Sequence, residues 1–375
     1  MTRAALVVAL LVLAPPPVAS AADPDLQARV QAELDRARAE AGFPGVTAAI
    51  ALPDGRVVVA ASGLDPAARM PAGSVGKTFV AAAILQAVDE GVLDLDAPIE
   101  RWVGEEPWFS KLPNAHDLTL RLLLSHRSGV PDPGEKAFLR AITERPDRVF
   151  TPPDLLAFLV GRKPRSRAGT KFFYADANYV LAGAVFEKAT HRALFPEIER
   201  RLLSPGGLAD TAPTERGDLK GVVPGRLDPK GPLASLGIRG ESLKDGHFVY
   251  AAQAEYAGGG LISSARDLAR WSKRLWEGNV FSSRQLAQML DAKPTDEKGV
   301  RYGLAVEISS TGAGPVYGHD GWIFGYLTQI VYFPDFKVAA ALQINSDPMK
   351  QYKNSPGNCL GRLVSLAIHD LKASK

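Results

Sequence analysis

An antiparallel sheet assembled from both ends of the chain, flanked by helices and carrying an inserted, mostly helical lobe, is the α+β fold that this sequence predicts. Three features point to it. Two strand-like runs, residues 46–52 and 56–61, stand near the start and are joined by the tight turn Pro53-Asp54-Gly55. Four more stand near the end, at residues 302–308, 316–318, 326–333 and 337–344. Between them, from Ser74 to about residue 256, the pattern is helices and long loops. The expected division is a sheet lobe of residues 22–73 and 257–375 around a helical lobe of residues 74–256.

Each element has a local reason. Leu26, Val30, Leu34 and Ala37 recur at helical spacing, and Phe43-Pro44-Gly45 ends that first helix. Residues 118–124 form a short apolar helix. Thr151-Pro152-Pro153-Asp154 starts another, with proline in its favoured early position. Residues 179–189 and, more weakly, 196–203 are helical. Residues 216–245 are rich in Gly, Pro and Lys and read as a surface excursion. Gly258-Gly259-Gly260 marks a sharp change of direction. Ser264-Ala265-Arg266-Asp267 is a capping-box type start for a helix over residues 268–276, and Ser282 or Ser283 starts the next. Leu360, Val364, Ala367 and Leu371 form the buried stripe of a closing helix.

Composition bounds the function. The 375 residues are 46% hydrophobic, enough for a sizeable core. Lys and Arg number 44 against 41 Asp and Glu, so no nucleic-acid partner is expected. Arg3, an apolar run over residues 4–14 and Ala19-Ser20-Ala21 read as a secretory leader over residues 1–21, cleaved to leave no membrane span. A periplasmic or secreted location follows. Cys359 is the only cysteine, so stability rests on core packing rather than an internal disulfide. The six histidines show no paired metal spacing, and neither metal nor cofactor is expected.

The chemistry centres on Gly73-Ser74-Val75-Gly76-Lys77-Thr78-Phe79. A helix starting at Ser74 places Ser74 and Lys77 on one face of its first turn. A serine hydroxyl needs a base to become a nucleophile, and a partly desolvated amine can serve. First-turn amides also point at the place where an oxyanion forms. Three other readings compete. Ser74 can be a plain cap with Lys77 in solvent. A phosphate loop fails because Pro71 stands where its first glycine belongs. A nucleophile elbow lacks its first glycine, replaced by Ala72, and needs a strand that residues 65–69 do not suggest.

Four further stretches decide among them. They are Leu122-Leu123-Leu124-Ser125-His126-Arg127-Ser128-Gly129-Val130, Tyr174-Ala175-Asp176-Ala177-Asn178-Tyr179, Gly258-Gly259-Gly260-Leu261-Ile262-Ser263-Ser264 and Gly318-His319-Asp320-Gly321-Trp322. With Ser74-Val75-Gly76-Lys77, in this order, they resemble the serine β-lactamase and penicillin-binding protein superfamily. The match is to its class C-like branch, which includes esterases, carboxypeptidases and D-aminopeptidases. It covers nearly all of the chain after the leader and implies a β-lactamase/transpeptidase-like fold.

The resemblance implies roles. Ser74 is the acylated nucleophile and Lys77 its partner. Tyr174 shares proton transfer with Lys77, since a nearby ammonium makes a phenolate more accessible. His319-Asp320-Gly321 matches the family's Lys-Thr-Gly strand, which gives His319 and Gly321 substrate-facing places. The amides of Ser74 and Trp322 are the oxyanion donors. His126 and Gly258 to Gly260 look like scaffold. Asp176 departs from the pattern, which has asparagine there. Unlike an amide, an ionised carboxylate cannot donate to a substrate carbonyl.

The expected function is an exported serine hydrolase acting through a Ser74 acyl-enzyme on small esters or D-amino-acid-type amides. Turnover of β-lactams is expected to be weak or absent. Asp176 repels an anionic substrate, and a neutral His319 attracts it less than the family's lysine. Alternatives are a class C-like β-lactamase or D-Ala-D-Ala carboxypeptidase, and a non-catalytic relative that binds peptidoglycan or a protein. An elbow-type hydrolase using Ser74 and His319 needs neither Lys77 nor Tyr174. The partner is a small-molecule or peptide-like acyl substrate, and the sequence leaves the oligomeric state open.

Overall fold

The computed structural model of the chain describes residues 24–216, 219–348 and 355–373. The expected leader and its cleavage site lie outside the described residues. In chain order the strands are β1 (Val46–Ala51), β2 (Val57–Ser62), β3 (Arg69–Pro71), β4 (Ala212–Pro213), β5 (Leu243–Lys244), β6 (His247–Phe248), β7 (Leu261–Ser264), β8 (Lys293–Pro294), β9 (Arg301–Tyr302), β10 (Glu307–Thr311), β11 (Gly314–Ile323), β12 (Tyr326–Phe333) and β13 (Val338–Ile344). The main sheet runs β2-β1-β13-β12-β11-β10-β9-β8. All its neighbours are antiparallel. The first and last strands meet in register, Val46 opposite Ile344 and Ala51 opposite Ala339.

Helices cover both faces at that meeting point. On one face lie α1 (Pro24–Ala41) and the closing helix α12 (Pro356–Ala373). Leu26, Val30 and Leu34 of α1 and Leu360, Leu363 and Val364 of α12 are buried there against Ala48, Ile50, Ala340 and Leu342. The alanines of β1 and β13 leave room for helices on both sides of the sheet. Between β3 and β7 the chain runs through α2 (Gly76–Asp89), α3 (Glu100–Val103), α4 (Leu120–Leu124), α5 (Glu135–Glu144), α6 (Pro152–Leu156), α7 (Ala177–Thr190), α8 (Leu194–Ile198) and α9 (Ser204–Gly206). After β7 come α10 (Ala265–Trp276), which covers the sheet's other face, and α11 (Ser283–Leu290). Thr151 and Asp154 form a capping box, while the Ser264 side chain caps α10 through the Asp267 amide and Ser282 caps α11.

Four expectations change. The run 302–308 is not one strand. It breaks between β9 and β10, where Ala305 is left-handed at φ 58°. The run 316–318 is the middle of the ten-residue β11, whose glycines and Pro315 hide its alternation. The run 196–203 becomes α8 and a following π-turn, Glu199–Leu203. The described part of the excursion, residues 219–245, folds back on the body and buries Leu227 and Leu233.

One contact ties α10 to the start of α2. Trp271 is fully buried and stacks on Phe79 with ring centroids 4.0 Å apart. Its indole Nε1 donates to Thr78 Oγ1 at 2.8 Å, and Thr78 Oγ1 donates to Val75 O at 2.7 Å. Truncating a buried tryptophan costs about 3–5 kcal/mol. Trp271→Ala is therefore expected to lower unfolding free energy by about that amount, read from urea midpoints. A shift below about 1 kcal/mol would mean the stack is not a structural support.

Candidate active site

Ser74 enters the site from a strand. β3 is three residues long, pairs with β7 and ends two residues before Gly73. The sequence expectation had no strand there, because residues 65–69 are polar. A single 3-10 turn, Gly73–Val75, follows, and the α-helix begins at Gly76 rather than at Ser74. The left-handed conformation needed before Ser74 falls on Gly73, at φ 52°, and not on the serine.

Glycines let the walls close on Ser74. A Cβ on Gly73 would stand 2.9 Å from Trp322 N, and one on Gly321 would stand 2.1 Å from Ala72 O and 3.3 Å from Ser74 N. The 3-10 turn and β11 thus approach closely at Ser74 and Trp322, whose amides are candidates for an oxyanion site. On the other side a Cβ on Gly76 would stand 2.9 Å from Gly259 Cα. The triple glycine, expected as a change of direction, is also a close-approach surface at Gly259.

Lys77 is fully buried at the end of the first turn. Its Nζ donates to Ser74 Oγ at 2.8 Å, to Asp176 Oδ1 at 2.5 Å and to Gly258 O at 2.6 Å. Three protons meet three acceptors, which describes an ammonium. Burial alone would pull this amine's pKa down. The Asp176 carboxylate, followed by Tyr174, outweighs burial and holds the pKa above the usual lysine value. The expected proton-shedding, desolvated amine is therefore corrected: at rest Lys77 is charged.

Tyr174 lies against Lys77, with Nζ 5.0 Å from its ring centroid. Burial raises its pKa to about 12, although Lys77 pulls the other way and Ser74 also acts on its hydroxyl. The phenol is protonated at neutral pH. His126 braces it: the Phe173 amide donates to His126 O at 2.8 Å, and the Ala175 amide donates to His126 Nδ1 at 3.2 Å. The imidazole stacks on the Tyr174 ring at 4.0 Å. Asn178 sits in α7, where Ser128 Oγ donates to its Oδ1 at 2.5 Å.

One expected substrate-facing side chain, His319, is placed otherwise. His319 is 1% exposed. Its Nδ1 donates to Asp320 O at 2.7 Å, and its Nε2 accepts from Tyr302 OH at 2.8 Å. Burial, then Lys77, lowers its pKa to about 3, so it is neutral and both ring nitrogens are engaged. Asp320 points the other way, as alternation on a strand dictates. Asp176 is half exposed, but its charge is taken by Lys77. Trp322 is 39% exposed and does face the cleft.

Asp176 and Trp322 open onto a cavity of about 350 Å³ that the sequence reading missed. Phe138, Leu139, Leu155, Leu159, Val180 and Phe324 make its apolar wall. Asp132, Glu135 and Glu255 add carboxylates. Burial, and then the like charge of Asp176, raise Asp132 to about 6 and Glu255 to about 8. Asp132 accepts from the Ala177 amide at 3.2 Å. Among the described residues no salt bridge neutralises either group. Asp132, on a loop, and Glu255, in the 3-10 segment Ala252–Gly258, lie outside every motif, and their pattern gives no hint of the pocket. Among the described residues there is no metal-binding cluster of acids, histidines and cysteine, and no helix is long and apolar enough to cross a membrane.

The geometry joins a serine and a lysine from one stretch with a tyrosine from another, about a hundred residues on. Known proteins carry the same arrangement of chain. A family model described as Beta-lactamase matches residues 28–356. Esterase EstB of Burkholderia gladioli is 28% identical, over 82% of this chain and 81% of its own. A D-aminopeptidase of Brucella anthropi is 24% identical over 80% of this chain, which spans only 56% of that relative's length. The crystal structure of a D-stereospecific amidohydrolase from Streptomyces sp. superposes with a TM-score of 0.76 and 26% identity, over 88% of this chain and 96% of that one. The matched region takes in every motif around Ser74, and the chain belongs to the beta-lactamase family of serine hydrolases.

Proposed function

We propose that this chain is an exported hydrolase that cleaves amides or esters of amino acids carrying a free amine and an apolar side chain, with D configuration preferred. The observation that carries the reading is the cavity beside Ser74, apolar along its wall and acidic at Asp132 and Glu255. A buried carboxylate without a cation is costly, and an incoming ammonium relieves that cost. The apolar wall takes the side chain, and the ammonium reaches the carboxylates. The D preference rests on the names of the D-aminopeptidase and the D-stereospecific amidohydrolase.

Ser74 Oγ attacks the carbonyl carbon, and the oxyanion forms between the amides of Ser74 and Trp322. Lys77 and Tyr174 move the protons, the lysine at Ser74 and the phenol at the leaving group. Water then hydrolyses the acyl-enzyme by the same route. β-Lactam turnover is weak in this reading. The acidic cavity repels the β-lactam carboxylate, and the buried neutral His319 offers it no charge. Export rests on the leader read in the sequence.

Intact-mass analysis with a neutral fluorophosphonate tests the nucleophile. One adduct on the wild type and none on Ser74→Ala is the expected result. An adduct on another serine would rule out Ser74, and no adduct on either protein would favour a binding-only relative.

Substrate choice is tested with D-phenylalanine amide, its N-acetyl derivative and nitrocefin. Acetylation removes the ammonium and is expected to lower kcat/KM by about 10²-fold, the scale of losing one member of a buried charge pair. Nitrocefin is expected to be the poorest of the three. The pH dependence has a definite sign. Asp132 and Glu255 have raised pKa values, so they ionise as pH climbs through about 6 and about 8. KM for the free amide should fall over that interval, until the substrate amine itself loses its proton. KM for the acetylated amide should not. Equal profiles for the two amides would remove the amine subsite.

A further inference from the structure

Lys77 poses a problem that the proposed chemistry leaves open. A base must have a free lone pair, yet all three of its protons point at acceptors. It must lose one before it can take the proton of Ser74. Gly258 O is a carbonyl and Ser74 is the group to be activated. The remaining partner is Asp176, whose Oδ1 lies 2.5 Å from Nζ. An asparagine, which the family pattern has at this position, could accept that hydrogen bond but not the proton.

We propose that Asp176 is a catalytic proton acceptor that takes the spare proton of Lys77 and so arms it as the base for Ser74. The inference rests on Ser74 being the nucleophile. One proton passes from Lys77 Nζ to Asp176 Oδ1, leaving a neutral amine and a carboxylic acid. Rotation about Cε–Nζ turns the lone pair to Ser74. The Ser74 proton moves to Nζ as the Oγ–C bond forms, and the carbonyl pair becomes the oxyanion. The leaving amine then takes the Tyr174 proton as its bond to carbon breaks and the carbonyl reforms. Lys77 reprotonates Tyr174, and Asp176 returns its proton to Lys77. The resting charges are restored, with no proton drawn from solvent.

The surroundings suit a proton that shuttles rather than leaves. Asp176 faces Lys77 from α2, Asp132 from the loop before α5 and Glu255 from the turn before β7, with Tyr174 two residues before it. Neutral His126 and His319 complete the ring around Lys77. Half of the Asp176 side chain is exposed, so an isosteric amide fits in its place.

The experiment is the rate of Ser74 labelling by the neutral fluorophosphonate from pH 5.5 to about 9.5, a range below the ordinary lysine pKa of about 10.4. It needs no knowledge of the substrate. In the wild type the internal transfer makes labelling nearly independent of pH over most of this range. In Asp176→Asn, and in Asp176→Ser as a second charge-removing variant, Lys77 must give its proton to solvent. Labelling should then climb with pH, following the fraction of neutral amine, and level off once pH passes the Lys77 pKa, which burial lowers when the carboxylate is gone. Asp176→Glu keeps a carboxyl group and should keep the flat profile. Circular-dichroism melting checks that each variant is folded. Profiles that run parallel, displaced by one factor at every pH, would show Asp176 to be a charge that merely holds Lys77 in place. Equal labelling of Ser74→Ala would remove the nucleophile, and the relay with it, and is told apart from parallel profiles.

Discussion

The site depends on one buried ammonium. Removing an unpartnered lysine charge from water costs several kcal/mol, and a protein normally answers by lowering its pKa. Here Ser74 Oγ, Asp176 Oδ1 and Gly258 O replace the lost water, one acceptor for each proton. The three acceptors come from the turn before α2, the start of α7 and the triple glycine before β7. None can move without leaving the charge partly bare. The ammonium therefore locks three remote stretches together and fixes Ser74 at their meeting point.

Close packing does the rest. β11 reaches the nucleophile turn only because Gly73 and Gly321 carry no Cβ, and Gly76 and Gly259 meet for the same reason. The Trp271–Phe79 stack holds the opposite side of α2. His126, itself left-handed at φ 55°, fixes the backbone on either side of Tyr174. His319 does similar service for the wall: its two hydrogen bonds join Tyr302 of β9 to the backbone of β11. The histidines are structural pins, kept neutral by burial, and the titrating work falls to carboxylates, lysine and tyrosine.

Much of this was legible in the sequence because its signals are local. Alternation in residues 326–333, helical spacing in residues 26–37 and the caps at Thr151, Ser264 and Ser282 each depend on a few neighbouring residues. Two strands at the start and more at the end implied a sheet closed across the termini, and β1 does pair with β13. Ser74 and Lys77 stood out by their spacing on one turn, and Tyr174 through the family resemblance. Where glycine and proline interrupt the pattern, as in β11, or a left-handed residue splits a run, as at Ala305, local reading failed.

By itself, the sequence determined the fold class and the order of its elements, since periodicity is a property of the chain alone, and its family resemblance singled out the serine, lysine and tyrosine. Only the tertiary structure decided the charge on Lys77, the burial of His319, the pairing of Asp176 and the acidic cavity at Asp132 and Glu255. Each of these depends on distances between residues far apart in the chain. Lys77 and Asp176 are 99 positions apart yet 2.5 Å from nitrogen to oxygen. A Coulomb interaction and a desolvation cost follow such distances and the burial around them, and residue type alone carries neither.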